Sequence, residues 1–378
     1  MKLSVSKDEI QEKLSNIQNV VEKRNTMPIL SHFLLDVGQK GSYIFATDLE
    51  TALKEPLEVK VEREGKLCIP ARKLFEIARE VEGDLLFESV DEQWLKVKAG
   101  ASDFRLACLP ASEFPAWPAL GGEDVEELTI NATILLEMIE KTIYSAGESD
   151  TRYTLNSLLF HVQPGNKLLT VVGTDGHRLA LIIKEVDGEV KNERRIIVPR
   201  KATSELRRFL VGSTGDREAS ASGGKVNISI GKNHMFFNVD KVQFLTRLIE
   251  GTYPDYENVI PQANEKKIFI GRDLFTKALR RVSIMSRERA NAVKFDIGED
   301  NLIISSSNPD LGEAKEEVAI DYKGDRLSIG FNARYLLDAL GVMMSEKVIL
   351  ELQDPLSPVL VKEEGNEDYR CVIMPMRI

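Results

Sequence analysis

The chain is poor in the residues that do chemistry or cross-link a fold. Among 378 residues there are three cysteines, four histidines and two tryptophans. Cys68, Cys108 and Cys371 are far apart and odd in number. That excludes a disulfide framework and a zinc pattern, and leaves buried reduced thiols of a cytoplasmic protein. His32, His161, His177 and His234 form no H-x-x-x-H pair, and the acids show no EF-hand spacing, so no metal site is expected. G-x-x-x-x-G-K-[ST], G-x-G-x-x-G and G-x-S-x-G are all missing, which argues against nucleotide-driven work and against a hydrolase elbow. The loose match "SGGKVNIS" (222–229) has Val226 where a phosphate loop needs a hydroxyl, and reads as the approach to a hairpin. No cofactor is expected. No apolar run approaches the ~18 residues that cross a bilayer, so no membrane partner is expected. "MKLSVSKDEIQEK" turns charged too early for a secretory signal.

What is present is a repeat. A strand running into an amphipathic helix occurs as "LSVSKDEIQEKLSNI" from Leu3, "LTINATILLEMIEKT" from Leu128 and "IFIGRDLFTKALRRV" from Ile268. A second such unit follows in each third: "LCIPARKLFEIAREV" from Leu67, "IIVPRKATSELRRFL" from Ile196 and "LSIGFNARYLLDALG" from Leu327. Apolar residues alternate in the strand halves and fall at helical spacing afterwards. In the fifth predicted helix Leu274, Phe275, Ala278, Leu279 and Val282 are expected to form one buried stripe, with Lys277, Arg280 and Arg281 pointing away. Between helices lie alternating segments such as "KLLTVVGTD", "VNISIG" and "KVILELQD", which read as antiparallel strands joined by hairpins. The expectation is an α+β fold of three similar domains, each with two helices packed on antiparallel sheet and roughly eight strands. Boundaries fall near "ALGGEDVEE" (119–127) and "IEGTYPDY" (249–256), giving domains 1–122, 123–250 and 251–378.

"GTDGHRLA" (173–180) aligns with "ATDLETAL" (46–53) and "SSNPDLGE" (306–313). The Thr-Asp turn recurs, so Thr174 and Asp175 serve the architecture of the repeat, the carboxylate bonding backbone amides. His177 and Arg178 belong to the middle copy alone, so something specific is expected there. A hydrolase built on Asp175 and His177 lacks a nucleophile and an orienting partner.

Net charge is −10, which taken as a uniform field argues against nucleic acid. The charge is not uniform. Residues 199–211 carry four basic residues and one acid, and residues 271–290 carry six and two. The six helical segments together hold +5, leaving −15 for everything else. Basic helices with acidic sheets and loops fit a helix-lined surface that faces phosphates, binding backbone rather than sequence. Lysine and arginine are also simply good helix formers for a solvated face.

"RYTLNSLLF" (152–160), "TYPDYENVIP" (252–261) and the terminal "VIMPMRI" (372–378), taken with "TDGHRLA", resemble the bacterial sliding clamps, the beta subunits of DNA polymerase III. The resemblance runs from "NTMPILSHFLL" (25–35) to the last residue. It implies the DNA clamp (processivity) fold, and a head-to-tail homodimer closed into a ring around duplex DNA without catalytic activity of its own. The implied partners are the polymerase III alpha subunit, a separate clamp-loader ATPase complex and other clamp-binding-motif proteins. Two chains would contribute twelve helices; at about 10 Å each they give a circumference of roughly 120 Å and about 28 Å of free diameter. A client-binding repeat scaffold that does not encircle DNA is the alternative. The implied client-peptide cleft comprises Arg152, Leu155, Thr174, Gly176, His177, Arg178, Leu179, Pro254, Val259, Val372, Met374, Pro375, Met376, Arg377 and Ile378. The implied DNA-binding residues are Arg24, Arg72, Ser149, Tyr153, Arg200 and Lys201. Phe104 and Leu106 of one chain would meet Ile284 and Met285 of the other. Thr154 stands where many relatives have a second aromatic, Thr252 where a basic residue is common, and Ile378 where leucine is usual.

Overall fold

The computed structural model describes residues 1–21, 27–89, 91–119, 125–148, 151–165, 167–188, 190–215, 224–262, 264–286 and 291–377. Among the described residues six α-helices, α1 (Lys7–Ile17), α2 (Ala71–Glu80), α3 (Ala132–Ile143), α4 (Arg200–Gly215), α5 (Arg272–Val282) and α6 (Ala333–Val342), each follow a strand with at most one residue between. They coincide with the six strand–helix units of the repeat. Local chemistry starts them. The Ser6 side chain accepts from Glu9 N at 3.2 Å, with Asp8 and Glu9 in the first turn of α1, where the helix dipole favours negative charge. Asn332 caps α6 in the same way, accepting from Arg334 N at 2.9 Å. One expectation fails: Leu274 on α5 is 62% exposed, while Phe275, Ala278, Leu279 and Val282 are buried. Those four already fill the i, i+3, i+4, i+7 face, and Leu274 lies about 100° around the helix from Phe275.

The chain packs into two compact units, one formed by Met1–Thr133, Asp187–Glu189 and Ser204–Leu248, the other by Ile134–Val186, Val190–Thr203 and Ile249–Ile378. In the first, a five-stranded sheet runs in the order Lys60–Arg63, Lys2–Val5, Leu85–Ser89, Trp94–Ala99, Ser102–Ala107. Its nine-stranded sheet starts from Asp187–Gly188, passes through Glu126–Asn131, Lys225–Ile230, His234–Val239 and Val242–Arg247, and continues with Thr51–Leu57, Ser42–Thr47, His32–Val37 and Gly65–Pro70. In the second, an eight-stranded sheet runs Arg194–Pro199, Ser157–Val162, Leu168–Thr174, Arg178–Glu185, Asn366–Ile373, Val359–Glu363, Lys347–Leu352, Lys266–Gly271. A four-stranded sheet holds Gly312–Ala319, Asn301–Asn308, Ala292–Gly298 and Leu327–Asn332.

Two of these sheets run across the thirds of the repeat. Thr51–Leu57 pairs with Val242–Arg247 through Ala52 and Leu245, and Arg178–Glu185 pairs with Asn366–Ile373 through Leu179 and Val372. The middle third therefore supplies strands to both units. Burial follows from the pairing. Trp94–Ala99 alternates exposed and buried, as a sheet with one wet face requires, whereas every residue of Ser157–Val162 is buried.

Two apolar clusters sit at equivalent places on the crossing sheets. One gathers Phe45, Ala52, Phe114, Phe236 and Leu245 around Leu30; the other gathers Val172, Leu179, Tyr253, Leu360 and Val372 with Tyr256. Each is capped by an aromatic-Pro-x-aromatic segment, Phe114–Trp117 in the first and Tyr253–Tyr256 in the second.

Candidate functional site

The turn at 174–178 is built from its own side chains. Thr174 Oγ1 donates to Arg178 O at 2.7 Å and accepts from Gly176 N at 3.1 Å. Asp175 Oδ1 accepts from His177 N at 2.9 Å and Arg178 N at 3.0 Å, so this carboxylate is structural, as its recurrence at Asp48 leads one to expect. Gly176 takes φ +87°, and a Cβ there would lie 3.2 Å from Arg152 Nη2. Glycine both permits the left-handed backbone and lets the guanidinium approach.

Arg178 is only 8% exposed, and all three of its nitrogens are in use. Nε donates to Asp175 Oδ2 at 3.0 Å, Nη1 to Asp338 Oδ2 on α6 at 2.6 Å, and Nη2 to Tyr144 O just beyond α3 at 2.6 Å. Its plane also stacks near the Tyr335 ring, 4.5 Å from the centroid. Burial works against its charge, but the two carboxylates more than offset that and hold its pKa above the ordinary value. Behind it the Tyr144 and Tyr369 hydroxyls lie 2.7 Å apart, and burial pushes both well above the usual phenol range. Arg178 is thus a strut that locks the turn to two helices.

The turn forms one wall of a cavity of about 140 Å³ lined by Arg152, Leu155, Thr174, Gly176, Arg178, Leu179, Pro254, Tyr256, Val259, Val372 and Met374. Leu179 and Val372, cross-strand partners, make its floor. Met374 N donates to His177 O at 2.9 Å and closes the end of that strand pair. Tyr253 anchors the opposite wall by donating to Val172 O at 3.2 Å. Burial pushes its hydroxyl above the ordinary range and raises that of Tyr256 to about 12, so both stay protonated donors. No serine, cysteine or lysine lines the cavity among the described residues, and no group of three metal-ligating side chains is found among them. The arrangement offers an apolar slot with a polar rim, which is chemistry for holding a segment of chain.

Ten residues of the implied cleft thus meet at one cavity. His177 is exposed at its rim, with its backbone in the turn. Pro375, Met376 and Arg377 line a different and wider cavity of about 670 Å³ with Lys294 and Leu356. There Met376 N donates to Gly330 O at 2.8 Å. Ile378 lies outside the described residues. Tyr256 was missing from the sequence reading, although the parallel between "FPAW" (114–117) and "YPDY" (253–256) marks it as a capping aromatic.

The residues implied for DNA and for the chain–chain joint do not gather at this cavity. Arg24 and Ser149 lie outside the described residues. Arg72 is exposed on the first turn of α2, Lys201 is exposed on α4, and Tyr153 is 78% exposed on a 3₁₀ turn. Arg200 at the start of α4 is tied to Glu148 at 3.1 Å. Phe104 and Leu106 are half-buried on the edge strand Ser102–Ala107. Ile284 is 54% exposed and Met285 half-buried on the 3₁₀ turn after α5.

Three family models cover most of the chain: the DNA polymerase III beta subunit N-terminal domain over residues 1–118, its central domain over 129–255 and its C-terminal domain over 257–377. A beta sliding clamp of Pseudomonas putida is 37% identical, with the whole of both chains aligned, and one of Escherichia coli is 33% identical over the same full extent. Among solved structures, a DNA polymerase sliding clamp from Pseudomonas aeruginosa with ligand superposes at a TM-score of 0.91 and 35% identity. A sliding clamp (DNA polymerase III subunit beta) from Bartonella birtlesii bound to griselimycin superposes at 0.93 and 34%. Each superposition covers 100% of both chains.

Proposed function

The chain belongs to the DNA polymerase III beta subunit family, the bacterial sliding clamps, and from that footing we propose that two copies close head to tail around duplex DNA. The thirds 1–122, 123–250 and 251–378 act as its three domains. The observation that carries this reading is in the sheets. The two larger sheets each cross from one third to the next, whereas the five- and four-stranded sheets each keep to a single third. Among the described residues, one end strand of each is open along one side, Ser102–Ala107 in the first and Gly312–Ala319 in the second. Open edges of this length invite pairing. Joined across two copies, they complete a nine-stranded sheet like the one already inside the chain. Phe104 and Leu106 would then come against the exposed Ile284 and Met285 of the partner.

The ring holds DNA mechanically and needs only weak attraction to phosphates from Arg24, Arg72, Ser149, Tyr153, Arg200 and Lys201. The protein has no catalytic activity of its own and works in the cytoplasm. The cleft built on Thr174–Arg178 takes a short peptide from the polymerase III alpha subunit, from the clamp-loader ATPase complex and from other clients. Leu155, Leu179 and Val372 hold its apolar side chains, while His177 and Arg152 form the rim.

Two measurements test the ring. Light scattering after gel filtration should give the mass of two chains, and Ile284→Asp should halve it. Loaded protein should stay on a nicked circle and slip off after linearisation; rapid loss from the closed circle at moderate salt would sink the ring. For the cleft, a dye-labelled peptide from the alpha subunit should bind, and Leu155→Asp should weaken it at least about tenfold, a loss of roughly 1.4 kcal/mol. Unchanged binding would remove the cleft from the mechanism.

A further inference from the structure

A second cavity opens beside the cleft on the same face of the eight-stranded sheet. Along Arg178–Glu185, the side chains of Leu179, Leu181 and Ile183 share a face. The neighbouring strand sets Val372 opposite Leu179 and Arg370 opposite Leu181. Leu179 and Val372 floor the cleft, while Leu181, Ile183 and Arg370, with Thr170 and Ile260, line the second cavity of about 270 Å³. Tyr256 lines both, so its ring is the saddle between them. Its hydroxyl is fixed 2.7 Å from His161 Nδ1.

The second cavity holds a feature the fold itself does not satisfy. Arg370 Nε is buried with no hydrogen-bond partner among the described residues. That nitrogen is sealed from solvent and out of a ligand's reach, but Arg370 also makes no ion pair among the described residues, and a carboxylate is the acceptor that best matches the outer nitrogens of a guanidinium fork. Glu257 also lines this cavity, where Arg195 Nη2 lies 3.5 Å from its carboxylate and Arg195 Nε lies 2.9 Å from that of Glu193. Leu179 and Leu181 stand two residues apart, about 7 Å along the strand. An extended segment leaving the cleft crosses that span in two or three residues.

We propose that this cavity is a second subsite for the docked client, taking an acidic residue that flanks the cleft peptide. The carboxylate pairs with Arg370, and an adjacent apolar side chain rests on Leu181, Ile183 and Ile260. The inference rests on the peptide reading of the cleft. The probe is the dye-labelled alpha-subunit peptide extended at either end by Gly-Ser-Glu-Leu or by Gly-Ser-Gln-Leu, titrated against the full chain. One of the two Glu-extended peptides should bind about tenfold more tightly than its Gln counterpart. That preference should vanish in Arg370→Gln and in Thr170→Glu, which sets a competing carboxylate in the trough, while the unextended peptide binds all three proteins alike. Equal binding of Glu and Gln extensions, or a preference that survives both substitutions, overturns the subsite and leaves the cleft standing. Failure of the unextended peptide to bind the unaltered chain overturns the cleft, and the subsite falls with it.

Discussion

Thr47–Thr51 in the first third and Thr174–Arg178 in the middle third share the bonds that make the turn. Thr47 Oγ1 donates to Thr51 O at 2.8 Å, and Asp48 Oδ1 accepts from Glu50 N and Thr51 N at 3.0 and 2.6 Å. These match the bonds of Thr174 and Asp175 one for one. A remnant persists in the last third, where Asn308 Oδ1 accepts from Asp310 N at 3.0 Å. The copies diverge in what stands on the frame. The left-handed position is Leu49 in the first, at φ 76°, and Gly176 in the middle. The last turn residue is Thr51, whose hydroxyl donates back to Asp48 at 2.9 Å, or Arg178, which reaches two helices. Behind the turns, register places Phe45 where the middle copy has Val172, and Phe236 where it has Leu360. Phe45 meets Phe114 and Trp117 edge to face, with centroids 5.1 and 5.2 Å apart. One repeated frame thus carries an aromatic plug in one copy and smaller side chains beside an open slot in the other.

The largest break in this comparison is expected at the last turn residue. Arg178→Ala leaves the carboxylates of Asp175 and Asp338 without their shared partner and should cost about 3 kcal/mol. Thr51→Ala at the matching place removes one neutral hydrogen bond and should cost about 1 kcal/mol. Shifts in the urea midpoint measure both; equal shifts would show that Arg178 is no strut.

A smaller contrast lies one turn along the same strands. Register matches buried Glu55 in the first third to buried Ile182 in the middle third. Burial drives the Glu55 carboxyl up to about 7, although Lys13 and Asn16 lie 3.5 and 3.2 Å from its Oε2. Its other oxygen has no hydrogen-bond partner among the described residues. The folded chain therefore holds this proton more tightly than the unfolded chain does. Its contribution to stability is fullest below the ordinary value of 4.5 and declines as pH rises to about 7. The fall should approach about 3 kcal/mol across that window. In Glu55→Gln that decline should disappear from a pH series of urea midpoints; an unaltered slope would assign it elsewhere.

The smallest effects should carry opposite signs. Gly176→Ala strains a left-handed residue and crowds Arg152, costing about 1 kcal/mol, while Leu49→Gly relieves the same strain and should gain a few tenths. Paired thermal melts would sharpen the comparison, and shifts of the same sign would mean the two turns are not equivalent.

Much of the frame was legible beforehand for a plain reason. The six strand–helix units declare themselves by period, and the Thr-Asp turn by side chains that bond amides two and three residues on. Leu274 was misread because its apolar character says nothing about which way the first turn of α5 is rotated onto the sheet. Tyr256 was overlooked because its part depends on the sheet it caps. Arg178 lines the cavity, but its guanidinium serves Asp338 and Tyr144 rather than standing free for a ligand, which only the meeting of α3 and α6 reveals. Pro375, Met376 and Arg377 follow Met374 directly, yet they turn into another cavity once Met376 joins Gly330.

The sequence by itself determined the threefold repeat, the antiparallel hairpins, the helix starts and the shared turn. All of these are settled by groups within a few residues of one another, or by a simple period. Only the tertiary structure decided which copy of the turn borders an open slot, which strands end in unpaired edges, and which arginine is left with a buried donor unanswered. Those outcomes depend on side-chain volumes and partners delivered by strands distant in the chain, where a Val172 in place of a Phe45 changes what space is left.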